Sequence, residues 1–171
     1  LSKAHSSLVI TTYKSGHVIL ARAAGGRLDT APFGFDRPMG VAVAGGRLAI
    51  GTGQSIDTFS NQPGLAGQVD HGSASDRPKH DAVFAPRSIT FTGDIAIHEM
   101  DYDRDGTLWF VNTKFSCLCT HDPHNSFVSA WTPPWITALA AEDRCHLNGL
   151  AMVDGRPRYV TALGRTDTPG G

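Results

Sequence analysis

Short runs in which apolar and polar residues alternate fill most of the chain, and glycine or proline interrupts them every few positions. Side chains alternate faces along an extended strand, so this period of two predicts short, half-buried β-strands. Stretches with a helical period of 3.6 are short, and the best of them, Ile136 to Asp143, predicts no more than one helical turn. Three segments follow one plan: Met39 to Thr52, His98 to Thr113 and Asn148 to Thr161. Each reads as a strand, a tight turn ending in glycine and a second strand. The turns Gly45-Gly46, Asp105-Gly106 and Asp154-Gly155 supply the positive φ that two-residue hairpins demand. Leu8 to Thr12 begins a further copy with its first strand missing. His17 to Arg22 and Phe127 to Trp131 read as the later strands of two units.

The last turn glycines, Gly46, Gly106 and Gly155, are 60 and 49 positions apart. Steps of this size suit a repeated four-stranded sheet of about 40–50 residues, as in a propeller. The longer first step holds a polar stretch from Gln62 to His80, so residues 62–92 are expected to form a long loop capping one face. The expected fold class is all-β: a partial β-propeller of about three and a half four-stranded blades, with residues 1–171 as a single unit. An open ring exposes unpaired edges, so closure is expected from another chain or a C-terminal half.

Composition narrows the partners. A formal charge of -1 over 171 residues offers no basic surface, so neither nucleic acid nor an anionic membrane is an expected partner. No apolar run reaches the roughly 20 residues of a membrane span. No leader of the secretory kind opens the chain, which makes the cytoplasm the expected location. Three cysteines do not form a disulfide framework. Cys117 and Cys119 share a face if extended, either as two small buried residues or as a soft-metal or redox pair.

Five stretches carry a resemblance: Phe35 to Gly40, Gly93 to Met100, Trp109 to Cys119, Glu142 to Ala151 and Arg158 to Gly164. On these the chain resembles a family of conserved hypothetical bacterial β-propeller-like proteins of unassigned function. It is more distantly similar to the gluconolactonase and regucalcin-like six-bladed propellers. That second likeness implies a divalent metal in the central channel with Asn148, in Asn148-Gly149-Leu150-Ala151, as a ligand. It also implies polar substrate contacts from the preceding unit, where His98-Glu99 stands. The acidic ligands of those enzymes have no counterpart that can be assigned here.

The repeat itself points to the same residues. First strands of successive blades line a propeller's channel, so their leading residues converge from about 50 positions apart. His98 and Glu99 lead one unit, and His146 and Asn148 lead the next. His98, Glu99 and His146 are the expected catalytic residues. His98, His146 and Asn148 are the expected ligands of a divalent metal ion, a transition metal or calcium. Arg37, His80, Asp81 and Arg144 are the expected substrate contacts. His71 is a weaker candidate in the polar stretch. His121-Asp122-Pro123-His124 and the acidic Asp101 to Gly106 look like metal loops by composition, but both read as turns. Gly-x-Ser-x-Gly and a phosphate-binding glycine loop are absent. Two function classes remain. One is a metal-dependent hydrolase or lyase acting on a small carbonyl- or lactone-like substrate. The other is a non-catalytic scaffold that binds a peptide or protein on its top face.

Overall fold

The computed structural model describes residues 1, 3, 5–24, 26–66, 68–69 and 80–171. Among them lie thirteen strands in four separate antiparallel sheets and no α-helix. The first sheet is β1 (Leu8–Thr12), β2 (His17–Ala24) and β3 (Arg27–Gly34). The second is β4 (Val41–Ala44), β5 (Arg47–Gly51), β6 (Ser55–Asn61) and β7 (Phe84–Phe91). The third is β8 (Met100–Tyr102), β9 (Leu108–Asn112), β10 (Cys117–Thr120) and β11 (Val128–Trp131). The fourth is the hairpin β12 (Leu147–Val153) and β13 (Arg156–Ala162). Every sheet pairs its strands in chain order.

Local chemistry explains two of the three expected tight hairpins. Gly45 and Gly46 have φ of 57° and 73°, and Ala44 pairs with Arg47 across them. Asp154 and Gly155 repeat this at 50° and 65°, between Val153 and Arg156. The third turn departs from expectation. Tyr102 pairs with Leu108, leaving a five-residue loop (103–107) in which Gly106 has positive φ but Asp105 does not. The buried Asp103 carboxylate organises this loop by accepting the Asp105 and Thr107 amides at 2.9 Å each. It also accepts the Trp109 indole N–H at 3.0 Å.

Two other expectations need correction. Ile136 to Asp143 is not helical, because its polar groups bond outward instead of to the fourth residue back. The Thr137 amide and hydroxyl go to the Asp167 carboxylate, and the Asp143 amide goes to the Lys114 carbonyl. The range 62–92 is not all loop either, since Phe84–Phe91 is the fourth strand of the second sheet. A 3-10 turn covers Pro63–Leu65. His71 lies outside the described residues.

The sheets stack face to face in chain order. Val18 of the first meets Leu48 and Ile50 of the second. On the opposite face of the second, Ala42, Ala49 and Ile56 meet Met100, Leu108, Phe110, Cys117 and Cys119 of the third. The third sheet's other face sends Val111 and Leu118 against Leu147 of the fourth. Leu108 and Phe110 thus face one way while Trp109 and Val111 face the other, as the period of two requires. Cys117 and Cys119 are free, fully buried core residues with their sulfurs 3.4 Å apart.

The leading strands lie side by side, β4 against β8 and β8 against β12. The residues just before them approach closely too, since a Cβ on Gly40 would sit 3.2 Å from Ile97 Cγ2. Backbone also repeats here. Arg37, Ala96 and Asp143 each lie four residues before a leading strand, and all three have left-handed φ, at 44°, 52° and 49°. In the first sheet, β1 and β2 are joined through Gly16 as β9 and β10 are joined through Ser116, both left-handed. So β1 corresponds to a second strand, and the sheet has no first one among the described residues. No helix among the described residues is long and apolar enough to cross a membrane.

Candidate functional site

His98 stands two residues before β8 and His146 one residue before β12, so the contact between β8 and β12 fixes their separation. Their rings meet edge to face, with centroids 5.0 Å apart and planes at 84°. His146 Nδ1 lies 2.8 Å from Asp143 Oδ2. A carboxylate accepts, so Nδ1 carries the proton, and Nε2 is the lone-pair nitrogen of the neutral ring. Asp143 Oδ1 is buried with no partner among the described residues. Burial, then the neighbouring His146, holds His98 below the ordinary histidine range, with Asp143 opposing them. His98 is therefore neutral at pH 7.

The two rings border a cavity of about 320 Å³, together with Tyr13, Arg37, Thr52 and Asp94. Arg37 Nη1 is 3.5 Å from Asp94 Oδ2, and its Nη2 donates to the Gly53 carbonyl at 3.4 Å. A hydrogen bond to the Tyr13 hydroxyl, then the Asp94 charge, raises its basicity further. Glycine at 53 leaves room for the ends of the Asp36 and Arg37 side chains. A Cβ there would collide with the Asp36 carboxylate and sit 2.6 Å from Arg37 Nη2.

Three residues bordering the cavity, Arg37, Ala96 and His146, have left-handed backbone. Each is a non-glycine conformation that costs of order 1 kcal/mol or more and persists only where surrounding structure enforces it.

The other expected residues lie elsewhere. Glu99 does not border this cavity, because neighbouring side chains of an extended segment point apart. Its carboxylate instead accepts the Met100 amide at 3.1 Å, and burial pushes the carboxyl above its ordinary range. Asn148 is exposed and also outside the cavity. The expectation that residues 146 and 148 share a face assumed extended backbone. His146 has φ of 46°, and the register of β12 on β13 slips between Leu147 and Gly149. Among the described residues, no group of three or more His, Cys, Asp or Glu side chains is arranged to hold a metal ion.

His80 pairs with Arg22 on β2 at 2.8 Å, and Asp81 is exposed; neither borders the cavity. Arg144 clamps the loop before β12 to the chain's last residues, 2.9 Å from both Glu142 and Asp167. His121 to His124 is a turn organised by the Asp122 carboxylate, which accepts the His124 and Asn125 amides. Sequence reasoning missed Asp143, Tyr13, Thr52 and Asp94. Asp143, three positions before His146, was the only one with a local signal; the others arrive from different sheets.

The model of a family described as Domain of unknown function (DUF4915) matches residues 1–171, and the chain belongs to that family. No curated protein and no solved structure matches it.

Proposed function

We propose, for this member of the family, that the sheets are successive blades of a β-propeller whose active site is the cavity at His98 and His146. Stacking in chain order with adjacent leading strands supports the propeller reading. The sheets hold three, four, four and two strands, which suits a ring completed by a second chain or a C-terminal half. The observation that carries the functional reading is the paired histidines, one braced by Asp143, beside a cavity bordered by enforced left-handed backbone.

The substrate class is a small carbonyl- or lactone-like molecule. His146 Nε2 takes a proton from water while Asp143 stabilises the imidazolium that forms. The resulting hydroxide attacks the carbonyl carbon, and Arg37 donates to the oxygen on which negative charge develops. When the ring C–O bond breaks, His146 returns the proton to the leaving oxygen. Neutral His98 sits against the same ring and adds no further positive charge beside the imidazolium.

A divalent ion is the second reading, favoured by the two adjacent imidazoles and the carboxylate behind one of them. Such a pair suits a transition metal; calcium takes oxygen ligands. Protein metal centres use three or four ligands, and the described residues supply two at this cavity, so no step above runs through a metal.

Hydrolysis of a panel of small lactones and esters tests both readings. The expected result is turnover that falls by about 100-fold or more in His146→Ala and less in Asp143→Asn. Turnover unaffected by His146→Ala, or none by the wild type, overturns the enzyme reading. Ligand binding without turnover moves the protein to the scaffold class. Loss of activity on chelation, restored by zinc, establishes the metal. Native mass spectrometry reports whether a ring-completing chain accompanies this one.

A further inference from the structure

A second cavity, of about 380 Å³, opens between the second and third sheets and shares no bordering residue with the histidine cavity. Arg47, Arg87, Thr58, Ser88, Tyr102 and His121 supply its polar groups, and no Asp or Glu among the described residues borders it. Arg47, on β5, donates through Nη1 to the Gly106 carbonyl at 2.9 Å, and its guanidinium lies 4.2 Å from the centre of the Tyr102 ring. Those contacts aim the group and leave most of its five N–H donors unused. Arg87 reaches the cavity by an irregularity in the sheet. Thr58 pairs with Ser88 but Phe59 pairs with Pro86, so Arg87 is the extra residue of a β-bulge on β7. Bulges re-aim side chains and often sit beside functional sites.

Arg87 is exposed and holds no ion pair among the described residues. Burial pushes the Tyr102 hydroxyl above its ordinary range, while Arg47 and then Arg87 oppose this, which puts both charges near that ring. The Thr58 and Ser88 hydroxyls are 2.7 Å apart, and if Thr58 donates, the Ser88 proton is free. His121 borders the cavity, and its Nδ1 is buried with no partner among the described residues. Two guanidiniums without an ion pair among the described residues and a spare hydroxyl donor describe a site for an oxyanion with several acceptor oxygens. The cavity exceeds the size of a bare anion, and Leu108 and the Tyr102 ring border it where the rest of a ligand would lie.

We propose that this cavity binds the phosphate group of a small phosphorylated molecule through Arg47 and Arg87, as a second ligand site separate from the histidine cavity. Calorimetric titration of the protein with inorganic phosphate and with phenyl phosphate tests it. Both should bind, phenyl phosphate more tightly through Leu108 and Tyr102. Arg87→Gln should weaken each by roughly tenfold, the worth of a charge-assisted hydrogen bond. This variant removes a side chain that the fold does not use, so its melting temperature without ligand should match the wild type. Arg37→Ala should leave phosphate affinity unchanged. The proposal is overturned if neither compound binds, if Arg87→Gln binds as the wild type does, or if Arg37→Ala abolishes binding, which would locate the anion at the other cavity.

Discussion

The first and third sheets are built from the same alternating strands, yet their burial differs completely. In the third, β9 and β10 are buried on both faces; in the first, every residue of β3 is exposed. The third sheet has a neighbour on each side, whereas the first packs against the second alone. Phe110 is 0% exposed and Phe33 50%, although both sit on β-strands. The fourth sheet is the first one's counterpart at the other end of the stack, with Tyr159 63% exposed and Leu163, just past β13, 78%. Burial here depends on how many sheets flank a strand, more than on the strand's own composition.

The largest effect should come from the double-sided core. Phe110→Ala should cost about 3–5 kcal/mol of stability, because the removed ring leaves a cavity between two sheets. Phe33→Ala should cost less than about 1 kcal/mol. Denaturant midpoints at constant m-value measure both. Phe33 pairs with Val18 and shares its face toward the second sheet, so a cost close to that of Phe110 would mean that β3 is covered on that face in solution.

Next comes the joint between the third and fourth sheets. The buried Thr113 hydroxyl donates to the Leu147 carbonyl at 2.6 Å. Thr113→Val should destabilise by about 1–3 kcal/mol, since the carbonyl is left without its partner. If the fourth sheet were only loosely held, this substitution would be silent, and the fixed spacing of His98 and His146 would lose its support.

A smaller, pH-dependent effect should come from Asp103. Burial alone would raise its pKa, but the Trp109 indole, the Thr107 and Asp105 amides and Arg156 on β13 outweigh it and hold the carboxyl below the ordinary range. A depressed carboxyl stabilises the fold above its unfolded-state pKa, and that contribution is lost as pH falls through the lower folded value. Asp103→Asn should therefore lower the melting temperature at neutral pH, with the gap closing in acid. A constant gap across pH would mean that packing, not charge, ties the loop to β13. Leu28→Asp on exposed β3 is the smallest, expected within about 0.5 kcal/mol by the same denaturation measurement.

Much of the fold was legible because its signals are local. Alternation marks strands, and the paired glycines at 45–46 and Asp-Gly at 154–155 close two-residue hairpins. The five-residue loop at 103–107 was less legible, because one buried carboxylate selects it over the tighter turn that Asp105-Gly106 suggests. The strand β7 was hidden for a similar reason: it follows a long polar stretch, and only pairing with β6 identifies it.

The candidate sites divide along the same line. His98 and His146 were selected from the sequence as leading residues of repeated units, an inference that needs only the repeat. Which neighbours they keep was decided by the tertiary structure. A left-handed His146 turns Asn148 away, and packing of distant sheets brings Tyr13, Arg37 and Asp94 to the cavity. Arg87 shows this most clearly, since one slipped residue in a ladder decides which face it occupies. Periodicity and turn chemistry act over a few residues, so the chain alone determines its strands and hairpins. The faces that meet, and the side chains gathered between them, depend on contacts between residues far apart in sequence, which only the packed sheets supply.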